Sequence, residues 1–173
     1  HRNLRELAGR TVLILGCGSV GSECARRFSA FGCRCLGLAT TGRQQESFEA
    51  VHPMDRLAKL LPLADIVVLA LPLTEQTRHL VDGAMLARMK AGSILVNLSR
   101  GAIVDTDALL NALSGPLSGA VLDVFETEPL PEDSPLWDAE NLILTPHNSF
   151  VGEHNHTRMM ETVIRNLTDW SRS

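Results

Sequence analysis

The stretch Thr11-Val12-Leu13-Ile14-Leu15-Gly16-Cys17-Gly18-Ser19-Val20-Gly21 decides the fold, because five apolar or β-branched residues run directly into three glycines spaced G-x-G-x-x-G. The apolar run has the length and composition of a fully buried strand. The segment after it, Val20 to Phe31, has helical periodicity. In a strand, glycine turn and helix of this kind, the first glycine permits the tight turn, the second lets backbone approach a pyrophosphate, and the third lets helix pack on strand. Phosphate then lies at the helix N-terminus, where unpaired N–H groups and the positive end of the helix dipole favour anions. Gly16, Gly18 and Gly21 are therefore expected to bind a dinucleotide.

The same alternation continues along the chain. Arg34 to Leu38, Ile66 to Ala70, Ser93 to Asn97, Gly119 to Leu122 and Leu142 to Thr145 read as further strands, six in all with the first. A helix around Met54 to Leu61, Gly83 to Met89 and Thr106 to Leu113 read as crossover helices. Strands apolar on both faces and separated by helices predict an α/β fold, a doubly wound parallel six-stranded sheet of the Rossmann type. Phe125 to Trp137 is rich in proline and acid and follows neither period, so it is expected to be a long surface loop. Glu153 to Trp170 reads as a helix with Met159, Val163, Leu167 and Trp170 on one face.

Composition narrows the partners. The 173 residues are 45% hydrophobic, enough for one sizeable core, and carry a net charge of −4 with scattered basic residues. Nucleic acid is not an expected partner. The longest apolar run falls far short of the ~20 residues a membrane span needs, so no membrane association is expected and the chain reads as cytoplasmic. Cys17, Cys24, Cys33 and Cys35 lie together with no second cluster to complete a zinc site, and reduced structural thiols are expected. No metal is expected; the pair His154 and His156 lacks further ligands at suitable spacing.

Roughly 20 residues past the glycines, an NAD-binding chain commonly places an acid on the ribose 2′-hydroxyl. Here that position is Ala39, followed by Thr40-Thr41-Gly42-Arg43. Two hydroxyls and a guanidinium suit a 2′-phosphate, so NADP(H) is favoured, through Thr41 and Arg43, with NAD(H) as the alternative.

In an open α/β sheet, ligands bind beyond the carboxyl ends of the strands. The exits read Asn97-Leu98-Ser99-Arg100-Gly101, Asp123-Val124-Phe125 and Thr145-Pro146-His147-Asn148, with Glu128 just past the second. An arginine, an aspartate, a glutamate and a histidine thus reach one rim. Their chemistry suits interconversion of a 2-keto and a 2-hydroxy acid. Arg100 can bind a carboxylate bidentately, His147 can serve as acid and base, Glu128 can pair with its other ring nitrogen, and Asp123 can orient a nicotinamide carboxamide.

These stretches together, from Gly16 to Gly21 through Asn97 to Gly101, Leu122 to Phe125 with Glu126-Thr127-Glu128-Pro129-Leu130-Pro131 behind it, and Thr145-Pro146-His147, resemble the D-isomer-specific 2-hydroxyacid dehydrogenase family over nearly the whole chain. The resemblance implies Arg100, Glu128 and His147 as a catalytic trio and Asp123 as a nicotinamide contact. It further implies that Ser19, Val20, Pro72, Thr77, Leu98 and Ser99 line the cofactor. Relatives include glycerate, glyoxylate and hydroxypyruvate reductases, phosphoglycerate dehydrogenases and D-lactate dehydrogenases. The expected substrate is a small 2-keto or D-2-hydroxy acid. Residues 1–173 would be the nucleotide-binding domain of a two-domain enzyme whose substrate domain is largely absent here, homodimeric when full length. The sequence departs from the family's usual pattern at Ala39 and at Asn148-Ser149-Phe150. Two other readings share the fold: an NAD(H)-sensing corepressor-like binding protein, and a formate dehydrogenase, against which the trio argues.

Overall fold

The computed structural model describes residues 5–149 and 151–172; Phe150 lies outside the described residues. Seven strands form one sheet: β1 (Thr11–Leu15), β2 (Arg34–Ala39), β3 (Ala50–Pro53), β4 (Ile66–Leu69), β5 (Ile94–Asn97), β6 (Gly119–Leu122) and β7 (Leu142–Leu144). Their order is β3-β2-β1-β4-β5-β6-β7, and every pairing is parallel. The doubly wound Rossmann-type fold expected from the sequence is present, with one strand more than the six predicted. The extra strand is β3, in which only Val51 is buried. It carries no apolar run to betray it, and Pro53 is tolerated because β3 lies at the sheet edge.

The alternation of side chains along β1 explains why both faces are covered. Leu13 and Leu15 enter one core cluster with Leu69, Leu86, Leu95 and Leu109, while Val12 and Ile14 enter another with Ala25, Cys35 and Val68. Each fully buried leucine or isoleucine removes apolar surface from water worth about 1.5–3 kcal/mol. A central parallel strand therefore has no polar face to show.

The helices are α1 (Ser19–Ala30), α2 (Leu57–Leu60), α3 (Gly83–Leu86), α4 (Thr106–Leu113) and α5 (Asn155–Trp170), the last with no buried residue. The helix expected over Met54 to Leu61 is broken into short 3-10 turns around α2, the second of which holds Pro62 near its start. Proline there supplies no N–H to continue the ladder. The helix expected over Gly83 to Met89 shortens to α3, whose start is capped by Asp82 accepting from the Met85 N–H at 2.8 Å. Asp105 caps α4 in the same manner, accepting from the Ala108 N–H at 2.9 Å. On α5, Met159, Val163, Leu167 and Trp170 are all exposed. Among the described residues, no helix is long and apolar enough to cross a membrane.

Candidate active site

Successive crossovers diverge between β1 and β4, where the sheet order reverses. This is the switch point at which a parallel sheet opens a crevice at its carboxyl edge. A cleft of about 550 Å³ lies there, lined by Gly18, Ser19, Val20, Ala70, Leu71, Pro72, Leu73, Leu98, Ser99 and Arg100. The three glycines of the turn do different work. Gly16 has φ +98°, and a Cβ on it would lie 2.4 Å from the Ala70 carbonyl oxygen. A Cβ on Gly21 would lie 1.9 Å from the Gly16 oxygen. Both are needed for the backbone to fold so closely. Gly18 is different: a Cβ there would meet nothing within 4 Å, so this glycine leaves open space in the wall of the cleft. Gly18 is also the N-cap of α1, with no side chain bonded to the first-turn N–H groups and no acid in that turn. The turn thus offers unscreened donors beside an open cradle, which fits the phosphates of a dinucleotide.

The other expected cofactor residues are distributed unevenly. Pro72, Leu98 and Ser99 line the cleft with Ser19 and Val20. Thr77 is outside the lining; its hydroxyl donates to the Pro72 carbonyl at 2.8 Å and so fixes the loop that carries Pro72. Thr41 and Arg43 are exposed on the loop between β2 and β3. That loop is tied to the glycine turn by Gln45, whose Nε2 donates to the Cys17 carbonyl at 2.8 Å while its Oε1 accepts from Ser22 Oγ at 2.9 Å. Sequence reasoning did not single out Gln45, since an amide in a polar loop carries no pattern.

Arg100 projects from a turn built by a buried amide. Asn97 is fully buried; its Oδ1 accepts from the Ser99 N–H and Oγ at 3.1 and 2.9 Å, and its Nδ2 donates to the Arg100 carbonyl at 3.0 Å. The guanidinium itself is exposed and donates from Nη1 to the Ser99 carbonyl at 2.6 Å.

His147 and Glu128 meet as expected. His147 Nδ1 lies 2.6 Å from Glu128 Oε2, and Glu128 Oε1 accepts from the Phe125 N–H at 2.9 Å. Partial burial opposes ionisation of Glu128, but the bonds from His147 and Phe125 and the nearby charges of His147 and Arg100 outweigh it and hold the carboxyl below its usual range. His147 has φ +50°, a left-handed conformation costing about 1–2 kcal/mol for a residue other than glycine. That backbone is held by Asp123, which accepts from Thr145 Oγ1 at 2.5 Å, the Asn148 N–H at 3.1 Å and the Ser149 N–H at 3.0 Å. Asp123 is buried and absent from the lining of the cleft. Burial would raise its carboxyl, but bonds from Thr145, Ser149 and Asn148 keep it below the usual carboxylate range. A second cleft of about 710 Å³ adjoins the His147–Glu128 pair, lined mainly by apolar groups including Phe125, Leu130, Trp137 and Leu144.

The four strand-exit residues are therefore assembled on one edge of the sheet. The arrangement supplies an exposed cation beside a cradle for a dinucleotide, and a histidine whose ring is oriented by a carboxylate. These features define a Rossmann-type dinucleotide-binding domain with acid–base groups at its carboxyl edge. Residues 1–149 match the family model for the D-isomer specific 2-hydroxyacid dehydrogenase NAD binding domain, and the chain belongs to that family. It is 43% identical over 168 residues to a glyoxylate reductase of Korarchaeum cryptofilum, covering 96% of this chain and 51% of that protein. It is 41% identical over 169 residues to an (S)-sulfolactate dehydrogenase of Chromohalobacter salexigens, covering 94% of this chain and 53% of that protein. A D-isomer specific 2-hydroxyacid dehydrogenase from Xanthobacter autotrophicus, solved in complex with NADPH and MES, superposes with a TM-score of 0.82 at 36% identity, covering 90% of this chain and 50% of that one. The chain thus spans about half the length of the relatives it matches.

Proposed function

We propose that the protein carrying this chain is an NAD(P)-dependent oxidoreductase that interconverts a small 2-keto acid and its D-2-hydroxy acid. In this reading residues 1–173 are the nucleotide-binding half of a two-domain, homodimeric, cytoplasmic enzyme. The observation that carries the proposal is the 2.6 Å bond between His147 and Glu128 at the sheet edge that also holds the glycine-turn cleft. A dinucleotide-binding domain needs no oriented imidazole to bind its ligand; a dehydrogenase needs an acid–base group to move a proton, and a histidine is the side chain most often used.

A nicotinamide dinucleotide held by the glycine-turn cleft would supply or accept the hydride. Arg100 binds the substrate carboxylate and polarises the adjacent carbonyl. Glu128 accepts from His147 Nδ1–H and fixes the tautomer, so exchange of a proton with the substrate oxygen falls to Nε2. In reduction, His147 would give that proton to the substrate oxygen, and the imidazole would regain one from solvent. Asp123 holds the backbone that presents His147, accepting from Thr145, Asn148 and Ser149.

We assign the cofactor preference to NADP(H). Ala39 removes the acid that would repel a 2′-phosphate, and Arg43 with Thr41 occupies the loop that Gln45 fastens to the phosphate turn. The relative solved with NADPH supports this reading. Calorimetric titration with NADPH and NADH, repeated on Arg43→Ala, tests it: NADPH should bind the tighter, and the variant should lose about tenfold in NADPH affinity with NADH little changed. Turnover of glyoxylate by the complete protein, abolished in His147→Asn, tests the chemistry. Tight nucleotide binding without turnover of any 2-keto acid would sink the enzyme assignment.

A further inference from the structure

The loop that carries Glu128 has no regular structure between β6 and the 3-10 turn Pro135–Trp137, so something else must fix where that carboxylate points. One constraint is steric: Gly101 packs so tightly that a Cβ on it would lie 1.8 Å from the Phe125 carbonyl carbon and 2.4 Å from the Glu126 nitrogen. The other is a second histidine–glutamate pair, two residues before Glu128. Glu126 Oε1 accepts from the Thr106 N–H at 3.0 Å and from Thr106 Oγ1 at 2.6 Å, and Glu126 Oε2 lies 3.0 Å from His79 Nε2.

Each partner belongs to a different part of the site. Thr106 begins α4, six residues beyond Arg100. His79 sits in the loop that starts at Pro72 in the cofactor cleft, and is held at φ +48° with its N–H donating to the Ala102 carbonyl at 2.8 Å. The isolated bridge between Val81 and Val104 joins the same two segments. The His79 side chain, the start of α4 and the Glu128 loop thus meet at one carboxylate, while backbone bonds tie the His79 loop to the segment after Arg100. Glu126 lies outside the lining of both the cofactor cleft and the cleft beside His147.

We propose that Glu126, braced by His79 and Thr106, is a positioning residue that sets Glu128 against His147 and holds it in register with Arg100. The proposal rests on the reading of His147–Glu128 as an acid–base pair. A salt link whose only task was surface stability would be expected to contribute at most about 1 kcal/mol and to leave the chemistry untouched. One that places a catalytic partner should cost turnover out of proportion, since an ångström of misplacement can cost about 10²-fold in rate.

The test uses the complete protein with NADPH and glyoxylate, comparing Glu126→Ala, Glu126→Gln and Glu128→Gln. Histidine labelled with ¹⁵N in the ring reports the hydrogen bond at His147 Nδ1 by NMR in each. Glu128→Gln should move the His147 Nδ1 signal, because the ring loses its carboxylate partner. Glu126→Ala should reproduce at least half of that displacement and lower kcat about tenfold or more, with the KM for NADPH within about twofold. Glu126→Gln, which keeps an acceptor for Thr106, should recover most of both. Glu126→Ala with kcat and the His147 Nδ1 signal unchanged would overturn the proposal, whatever it did to stability. If Glu128→Gln itself left that signal and kcat unchanged, the acid–base reading would fail first and the proposal with it; these two failures are distinguished by which variant is silent.

Discussion

Alanine at Gly18 and at Gly21 should separate ligand binding from folding within a single turn. Gly18 has φ −76° and ψ −166°, ordinary extended backbone that alanine also adopts, and its Cβ would meet nothing within 4 Å. Loss of the preferred N-cap residue and relief of unfolded-state entropy oppose each other, each at about 0.5–1 kcal/mol. The net effect on stability should stay within about 1 kcal/mol, or roughly 2–4 °C in Tm for a chain of this size. The methyl group would nonetheless occupy the wall of the cleft where a phosphate must approach the backbone. Losing one N–H bond to a charged oxygen costs about 1.5–3 kcal/mol, so Kd for NADPH should rise about 10- to 150-fold. Gly21→Ala should do the reverse in emphasis. Its Cβ would lie 1.9 Å from the Gly16 oxygen, and relieving that overlap should cost about 1–3 kcal/mol or more, lowering Tm by roughly 2–12 °C. Differential scanning calorimetry and isothermal titration on the same preparations read both quantities. If Gly18→Ala bound NADPH as tightly as the parent, the open space above Gly18 would not be the phosphate site and the argument from cleft to nucleotide would be wrong.

Replacing Asp123 by alanine should strand three donors, at Thr145, Asn148 and Ser149, and release a left-handed His147. Hydrogen bonds to a charged acceptor contribute about 1.5–3 kcal/mol, so chemical denaturation should show a loss of about that size, and an unchanged midpoint would refute the anchoring role. The carboxyls of Asp65, Asp123, Glu126 and Glu128 are all held below their usual range, because hydrogen bonds, joined by nearby positive charge at every one but Asp123, outweigh the burial that would raise them. A depressed native value means the unfolded chain binds the proton first. Stability from these groups is therefore complete above the ordinary carboxylate range and is lost as pH falls through the depressed native values. Unfolding free energy measured from pH 6 to pH 3 should fall, and Asp65→Asn should flatten the slope; a variant as steep as the parent would exclude Asp65 as a contributor.

How much of this was legible depended on whether a residue's role repeats in sequence. The central strands were, because Val12 to Leu15 and Ile66 to Leu69 are buried on both faces and show it as unbroken apolar runs. The glycine turn was, because two steric demands, at Gly16 and Gly21, and the open space at Gly18 fall at fixed spacing. β3 was not: an edge strand of Ala50, Val51, His52 and Pro53 buries one side chain and has no period to detect. Among the site residues, Arg100, Asp123 and His147 were found by asking what stands at strand exits, a question that topology answers in advance. Glu126, His79 and Gln45 were beyond reach, since each works through a loop closure joining residues 20 to 47 positions apart. Asp123 shows the intermediate case: its position was legible, but that its carboxylate is spent largely on the turn around His147 emerged only from the geometry.

The segment from Asp123 to Glu128 places three carboxylates within six residues, an arrangement that self-repulsion would disfavour in an unstructured loop. It is stable because each acid is given to a different element: Asp123 to the turn after β7, Glu126 to the start of α4 and His79, and Glu128 to His147 and the Phe125 N–H. All three carboxyls are held below their usual range. On the proposed function, an anionic 2-keto acid approaching Glu126 and Glu128 would need a cation to meet it. Among the described residues, Arg100 is an exposed cation that lines the glycine-turn cleft, and its charge also reaches Glu128. The guanidinium proposed to bind substrate would then also offset the acid that orients the histidine. A buried asparagine shapes the turn from which Arg100 projects, and a looser loop would place that charge with less accuracy.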